Sequence, residues 1–352
     1  MKQSICLLGN FDDDFEEGLV KISSKLKQWM NKKYNVQINK PSISCSIYNI
    51  HCSGFLEGVK YKKLKGKKIY SLHSEINLNF WKEILDFVQF YRYFVSNKQD
   101  AYPAWERFSK TMFRLTSAAL PLFIKRSFLK NMDVIIAPNK SIANDLLLKQ
   151  CTIVHHGIDC NKYKNIKNKK NKKNKKIKVA YFGHPSTNKG MLEVIKAFSK
   201  ITDTNIEKHL CLTVLNDKIK KTIKKFDKSI IIHGKTKNII NAYNKMDIIV
   251  LPYRHSGGAI ATPLVLLEAM ACQRAIITTG IPTLKEICGN TVKYVKPYSV
   301  KGIKTAIMHL AKNPTLRKDI GKKARRQVVD NYNQEKMFKG YQKIFNSILT
   351  KK

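Results

Sequence analysis

The feature that most restricts how this chain can fold is a repeated pairing of a short apolar run with a longer helical pattern. Ile5–Leu8 is one such run, which ends at Gly9 and precedes a predicted helix reaching to about Lys32. This alternation is typical of βα units, whose strands form a parallel sheet. Further strands are predicted at Ser44–Ile50, Lys68–Leu72, Val134–Ala137, Thr152–His155, Lys178–Phe182, Leu210–Leu215, Ser229–His233, Ile248–Leu251 and Ala275–Thr278.

A lysine- and asparagine-rich tract, residues 161–178, divides this pattern in two. Ten of its 18 residues are Lys and five are Asn, so no apolar face can form and a solvated linker is expected. A chain of 352 residues is long enough for two domains of ordinary size. We predict doubly wound α/β domains over 1–160 and 179–332, a last helix over 333–352, and a cleft between the domains where the strands' carboxyl ends meet ligand.

The charge balance narrows the classes of partner. Lys and Arg number 66 against 25 Asp and Glu, a formal net charge of +41. Such a charge attracts polyanions in general and argues against a module for neutral partners. Only nine of the 66 are Arg, and the abundance of Lys, Asn and Ile also fits AT-rich codons. Because recognition of bases and phosphates favours Arg, we expect no nucleic-acid partner.

Targeting and metal-binding signals are weak in this sequence. Its start has neither the apolar length nor the cleavage site of a signal peptide, and no stretch approaches the roughly 20 apolar residues of a membrane span. The eight cysteines form no CxxC pair, which gives no support for zinc. Asp12, Asp13 and Asp14 are better explained as the acidic start of a helix, or as part of a binding cleft, than as metal ligands. We expect a cytoplasmic protein with no metal and no cofactor.

Several longer segments share a pattern with a known family. They resemble the retaining, nucleotide-sugar-dependent glycosyltransferases of the GT-B fold, in the large family 4 type. The resemblance implies two Rossmann-like domains, with the acceptor on the N-terminal side, the nucleotide-sugar on the C-terminal side, and a last helix that returns to the N-terminal domain. The segments are IYSLHSE (69–75), DVIIAPNKSIANDL (133–146), VHHGIDCNKY (154–163), NAYNKMDIIVLPY (241–253), PLVLLEAMACQRAIITTGIPTLKEI (263–287) and the closing helices at 313–345.

One candidate donor site is the start of the helix that follows Thr262. Thr262 can serve as N-cap and Pro263 as the first helical residue, which leaves free N–H groups at a positive helix end suited to phosphate. An ordinary capped helix after a surface loop is the alternative. The resemblance implies that Glu268, a turn and a half further on, bonds the donor ribose. The donor-binding residues expected here are Gly257, Gly258, Leu264, Val265 and Glu268.

The second donor element is the loop at 182–190, between a strand and a helix. Lys189 matches the family's lysine that neutralises the donor diphosphate, where a cation stabilises the leaving group; an ordinary surface lysine is the alternative. The family usually has Arg after the loop's first glycine, whereas this chain has His184, which is only partly protonated near neutral pH. Arg254, close in sequence to the other donor loop, is expected to supply the missing fixed charge.

The N-terminal domain contributes two further candidates. Gly9 ends the first strand and should allow the backbone to approach a ligand closely. His73 also follows a strand, and the resemblance implies that it faces the anomeric carbon and orients the sugar; a structural histidine is the alternative. His155 and His156 are expected to be structural.

The sequence also departs from the family at the first of its paired glutamates. The two are normally eight positions apart, and the position eight before Glu268 is Ile260. Because the missing glutamate normally contacts the sugar hydroxyls, the donor sugar is not identified. A rival interpretation stays open, in which the protein is a catalytically degenerate GT-B binding or scaffold subunit of a glycan-assembly complex.

Residues 104–130 predict a basic amphipathic stretch that Pro121 breaks near Leu120. Such a stretch either lies on an anionic bilayer or packs on the core with a solvated basic back. Its apolar members are Trp105, Phe108, Met112, Leu115, Ala119 and Leu122, and its cations are Arg107, Lys110, Arg114, Lys125, Arg126 and Lys130.

Together these features predict a retaining glycosyltransferase. It would move a hexose from a UDP- or GDP-sugar to a glycan or lipid-linked acceptor, in the synthesis of a cell-surface polysaccharide or glycolipid. We expect it in the cytoplasm as a monomer or homodimer, peripheral at the inner face of the cytoplasmic membrane.

Overall fold

Two parallel six-stranded sheets organise the chain. The first contains β1 (Ser4–Gly9), β2 (Asn35–Ile38), β3 (Ile47–Cys52), β4 (Lys67–Leu72), β5 (Val134–Ala137) and β6 (Cys151–Ile153), in the spatial order β2-β1-β3-β4-β5-β6. The second contains β7 (Ile177–Gly183), β8 (Ile206–Leu212), β9 (Ile231–His233), β10 (Ile248–Leu251), β11 (Ala275–Thr279) and β12 (Lys293–Val295), in the order β12-β11-β10-β7-β8-β9. This computed structural model describes residues 3–9, 18–40, 45–52, 61, 63–73, 80–81, 84–85, 87–89, 116, 119–166, 176–255 and 261–350.

Helices connect and cover both sheets. Those of the first half are α1 (Gly18–Asn31), α2 (Leu122–Leu129) and α3 (Lys140–Leu146). Those of the second half are α4 (Met191–Ser199), α5 (Asp217–Phe226), α6 (Ile239–Lys245), α7 (Leu264–Ala271), α8 (Pro282–Cys288), α9 (Val300–Lys312), α10 (Pro314–Asn331) and α11 (Gln334–Thr350). All pairings within the two sheets are parallel, so the predicted doubly wound α/β class is confirmed.

The strand β8 differs most from its prediction. The apolar residues predict Leu210–Leu215, whereas the strand begins four residues earlier, at Ile206. The difference arises because the buried Lys208 side chain is fully paired: its ammonium donates to the carbonyl of Phe198 at 3.0 Å and to Asp227 Oδ2 at 2.7 Å. A lysine satisfied in this way does not interrupt a buried strand.

The last helix, α11, packs against the first domain. The ring of Phe338 stacks on Trp29 of α1 at 5.1 Å between centroids. Phe345 meets Tyr34 edge to face at 5.7 Å. The aromatic side chains of α11 therefore complete the core on one side of the first sheet.

The described part of the 104–130 stretch corrects one expectation. Pro121 caps α2 and separates it from the preceding residues, as predicted. Lys125, however, does not lie on a solvated basic face: it is 2% exposed, on the same face as Leu129, and burial lowers the pKa of its ammonium group. Phe123 is instead 69% exposed. No helix among the described residues is long and apolar enough to cross a bilayer.

Candidate active site

Two loops at the carboxyl edge of the second sheet meet each other directly. Gly190 ends the loop after β7 with a φ of +75°, and a Cβ atom there would overlap the carbonyl oxygen of Pro252, after β10. The backbone N–H of Arg254 donates to the carbonyl of Asn188 at 2.9 Å. Lys189, half-buried, lies between these two contacts. The structure thus brings the predicted lysine next to the segment that leads to α7.

The Arg254 side chain is held by groups other than a ligand. Its guanidinium donates to both oxygens of Glu193 in α4, the shortest distance being 2.7 Å, and both residues are buried. It also donates to Gln89 Oε1 of the first domain at 2.7 Å. Because Glu193 balances this charge, the Arg254–Glu193 pair has no net charge to offer a diphosphate in this conformation. Its contacts brace the donor loops and connect the two domains.

The start of α7 differs slightly from its prediction. Pro263, not Thr262, occupies the N-cap position, and no side chain caps the helix. The first backbone N–H groups, those of Leu264 and Val265, accordingly have no intrahelical acceptor. The Thr262 hydroxyl is buried and finds no hydrogen-bond partner in the part of the chain that the structure describes. Gly257, Gly258 and Ile260 lie outside the described residues.

Glu268 is buried on α7 in a polar cluster. Tyr243 of α6 donates its hydroxyl to Glu268 Oε2 at 2.8 Å. Burial and the charge of Glu268 raise the pKa of Tyr163, which follows the first domain. Lys21 Nζ of α1 lies 3.9 Å from Glu268 Oε1. Burial lowers the pKa of the neighbouring Lys25. The predicted ribose ligand is therefore a carboxylate that Tyr243 orients and that faces lysines of the first domain.

Three histidines form a hydrogen-bonded chain at the carboxyl edge of the first sheet. His51 Nδ1 and His73 Nε2 are 2.9 Å apart, and His73 Nδ1 and His156 Nε2 are 3.0 Å apart. All three are at most 2% exposed. Burial lowers the pKa of His51 to about 3 and the pKa values of His73 and His156 well below their ordinary range.

Because the three imidazole rings are neutral, their hydrogen bonds determine which nitrogen of each ring carries the proton. Each neutral imidazole has a single N–H, so both hydrogen bonds form only when the three protons point the same way along the chain. Both ring nitrogens of His73 are then engaged, and its side chain has no spare donor for a sugar in this conformation. The predicted role of His73 toward the anomeric carbon stays a prediction.

Backbone groups of this region also join the two domains. The carbonyl of His73 accepts a hydrogen bond from the N–H of Ala261, just before α7, at 2.9 Å. Across the same boundary, the Glu286 carboxylate accepts from the N–H of Lys140, at the start of α3, at 2.8 Å. The loop that precedes α7 therefore lies directly against the end of β4.

Gly9 ends β1 at the same edge of the first sheet. A Cβ atom on it would overlap the carbonyl oxygen of His51 on the neighbouring strand β3, so the close approach that Gly9 permits here is to the protein's own backbone. Its N–H donates to Asn39 Oδ1 at 2.9 Å. The loop that follows, with Asp12, Asp13 and Asp14, lies outside the described residues. Within the described residues, no group of three or more His, Cys, Asp or Glu side chains is placed to hold a metal ion.

Comparison with known proteins assigns the second half. The sequence profile of the glycosyl transferases group 1 family matches residues 162–327. This half of the chain therefore resembles the enzymes of that family. An uncharacterized glycosyltransferase of Methanocaldococcus jannaschii is 27% identical over 246 residues, which cover 64% of this chain and 61% of that protein. The match thus spans about three fifths of the relative's length.

Solved structures of glycosyltransferases share the whole fold. Sucrose-phosphate synthase from Thermosynechococcus elongatus superposes with a TM-score of 0.75 at 14% identity, covering 100% of both chains. HepE of Anabaena, in complex with UDP and glucose, gives a TM-score of 0.70 at 12% identity, covering 98% of this chain and 100% of that one. The glycosyltransferase half is thus one of two domains of a GT-B fold, as predicted.

Several residues of the site were not predicted. Glu193 has a weak signal, an acidic residue in the first turn of a helix, which by itself indicates only a favourable helix dipole. Tyr243 lies four residues before the aspartate in the quoted family segment, yet its bond to Glu268 depends on how α6 packs beside α7. The pairing of His51 with His73 needs the register of β3 against β4, which the sequence does not provide.

Proposed function

We propose that this protein is a retaining glycosyltransferase that moves a hexose from a nucleotide-sugar to a glycan or lipid-linked acceptor. The observation on which the proposal rests is the contact between the loop containing Lys189 and the segment leading to α7, at the carboxyl edge of a parallel sheet. Ligands of doubly wound sheets bind at this edge. The family match of the same half supports glycosyl transfer as the reaction.

The site residues have distinct roles in the proposed reaction. The Lys189 ammonium and the free N–H groups at the start of α7 stabilise the charge that develops on the departing nucleoside diphosphate. Glu268, oriented by Tyr243, accepts hydrogen bonds from the ribose hydroxyls. The acceptor hydroxyl attacks the anomeric carbon from the face that the phosphate leaves, and its proton passes to the departing phosphate, so that configuration is retained.

We propose a UDP-linked hexose as the first donor to test, with a GDP-linked one as the alternative. Support comes from HepE, which shares the fold and was solved with UDP and glucose and with UDP-glucose. The Thr262 hydroxyl and the uncapped start of α7 offer donors to a phosphate of either nucleotide.

Lys189→Ala and Glu268→Gln are expected to abolish the thermal shift that UDP produces in the unmodified protein. The first change removes the cation at the diphosphate, and the second weakens the acceptor for the ribose while keeping its size. Lys176→Ala is the matched control, because the exposed Lys176 precedes β7 and so lies at the opposite end of the strand from Lys189. A UDP shift that survives Lys189→Ala and Glu268→Gln, or one that Lys176→Ala removes equally, would contradict this site.

Catalysis separates the proposal from the scaffold alternative. A transferase hydrolyses UDP-hexose slowly or transfers it to an acceptor, and Lys189→Ala removes either activity. A protein that binds UDP yet releases none from UDP-glucose, UDP-galactose or UDP-N-acetylglucosamine would instead be the degenerate subunit that Ile260 suggests.

We also propose that the protein acts on the cytoplasmic face of a membrane, as a monomer or homodimer, in synthesis of a cell-surface polysaccharide or glycolipid. In this arrangement Phe123, exposed on α2, enters the lipid interface beside exposed lysines such as Lys130. Apolar insertion and attraction to anionic lipid both contribute to such binding.

Vesicle sedimentation tests this surface. The protein is expected to sediment with phosphatidylcholine vesicles containing phosphatidylglycerol and not with phosphatidylcholine alone. Phe123→Ala is expected to weaken that binding about tenfold, because it removes the aromatic ring that enters the lipid interface. Val329→Ala, which truncates another exposed apolar side chain on α10, is the control. Equal binding to both vesicle types, or none to either, would refute the membrane role.

A further inference from the structure

Tyr298 has a backbone conformation that its side chain disfavours. It is the third residue of a turn over 296–299, in which Pro297 is second and the N–H of Ser299 donates to the carbonyl of Lys296 at 3.3 Å. Its φ is +64°, the left-handed region, where this kind of turn normally has Gly or Asn. A bulky aromatic residue there is strained. Something other than the turn must therefore favour tyrosine at this position.

Burial does not explain the tyrosine. Tyr298 is 41% exposed, so much of the apolar surface that a buried ring would remove from water stays accessible. One contact of the ring is with Arg254, whose guanidinium carbon lies 5.2 Å from the ring centroid. That guanidinium is itself buried and fixed by Glu193. The result is a rigid aromatic surface resting on an ion pair and open to solvent.

The location of this surface matches a substrate position beside the donor. Tyr298 follows β12, at the same carboxyl edge of the second sheet as the donor loops. Its support, Arg254, donates through its backbone to Asn188 next to Lys189, and through its side chain to Gln89 of the first domain. One residue, Arg254, therefore connects the ring to the proposed diphosphate loop, and its side chain also touches the first domain.

We propose that Tyr298 is a stacking platform for a hexose ring of the acceptor. This rests on the proposed glycosyl transfer. A pyranose has a flat face of C–H groups that packs against an aromatic ring, while its hydroxyls point outward to polar groups. The nucleoside belongs with Glu268 and Tyr243, on the helices α6 and α7, so the platform is left for the sugar at the other end of the reaction. Strain at a substrate-binding residue is the kind that a protein retains for function.

Tyr298→Gly separates an effect on sugar binding from an effect on folding, because it is expected to lower the affinity for sugar without lowering the melting temperature. Glycine adopts a φ of +64° without strain, so the variant is expected to melt at the same temperature as the unmodified protein or higher. Its affinity for a sugar is expected to fall about fivefold through loss of the ring. Tyr298→Phe keeps the ring and is expected to retain affinity.

Saturation-transfer NMR, with and without UDP, measures the binding of four hexosides to the protein. They are methyl α-glucoside, methyl α-galactoside, methyl α-mannoside and methyl α-N-acetylglucosaminide. At least one is expected to bind the unmodified protein and Tyr298→Phe, and to bind Tyr298→Gly about fivefold more weakly, with UDP affinity unchanged. The proposal would be overturned if none of the four hexosides bound, or if one bound equally to Tyr298→Gly. It would also be overturned if Tyr298→Gly lost UDP affinity in parallel, because the ring would then lie against the base. A protein that binds a hexoside but not UDP would contradict the proposed function alone.

Discussion

Gly190→Ala is expected to lower the free energy of unfolding by about 3 kcal/mol or more and to abolish UDP binding. An alanine at a φ of +75° costs about 1–2 kcal/mol through its own backbone. Its Cβ would also overlap the carbonyl oxygen of Pro252, and a backbone atom cannot rotate away as a side chain does. Relief requires the segment from Pro252 to move, at a further cost of about 1–3 kcal/mol. The same movement separates the Lys189 loop from the start of α7.

Gly289→Ala is the control for this prediction. Gly289 has a φ of +54°, but a Cβ on it meets no atom within 4 Å among the described residues. Its ψ of −126° puts this backbone outside the region that alanine adopts, so that variant should lose about 1–3 kcal/mol from its backbone conformation alone and keep UDP affinity. Urea unfolding and a UDP titration measure both effects. A Gly190→Ala variant that keeps UDP affinity as Gly289→Ala does would mean that Gly190 and Pro252 are not in contact.

Acidification from pH 7.5 to 5.5 is expected to destabilise the protein by about 4 kcal/mol through the three-histidine chain. The pKa values of His51, His73 and His156 are lowered in the folded protein, whereas in the unfolded chain they return to about 6.5. Below pH 6.5 the unfolded chain therefore binds protons that the folded protein does not. Each histidine then costs about 1.4 kcal/mol per pH unit until its folded pKa is reached.

Urea unfolding across this pH range measures the effect. His156→Gln is expected to remove about a third of the histidine-chain contribution, because one of its three groups no longer titrates. The control is His309→Gln, at an exposed position on α9. Burial also lowers the pKa values of His209 and His233, which add to the fall in the same direction and are unaffected by either change. A stability that is flat between pH 7.5 and 5.5 would contradict a buried neutral chain.

The sequence predicts the fold well where apolar runs are long. Val134–Ala137 and Ile248–Leu251 have the bounds expected of them, because burial on both faces requires continuous apolar residues. The edge strands β2 and β12 were not predicted. An edge strand has fewer neighbours, so its short sequence needs no apolar run, and only pairing with β1 or β11 identifies it.

In the candidate site too, the sequence predicts residues that lie in a local pattern and does not predict contacts between distant segments. Lys189 and Glu268 were found because each lies within a local pattern, a strand-to-helix loop and a helix start. The partners of Glu268 come from α1, α6 and the residues after the first domain, and those of Arg254 from α4 and the first domain. Tyr298 has a local signal, a proline followed by a residue in a turn that prefers glycine. The meaning of that signal depends on Arg254, 44 positions earlier.

The packing of α11 against α1 also constrains synthesis on the ribosome. Lys33, near the end of α1, donates to Gln342 Oε1 at 2.9 Å across a sequence separation of 309 residues. The first domain emerges early, but the aromatic side chains that cover Trp29 and Tyr34 emerge almost last. Contacts so distant along the chain form slowly. The nascent first domain therefore exposes an apolar surface throughout elongation, and it is during this interval that a chaperone or aggregation would compete for the chain.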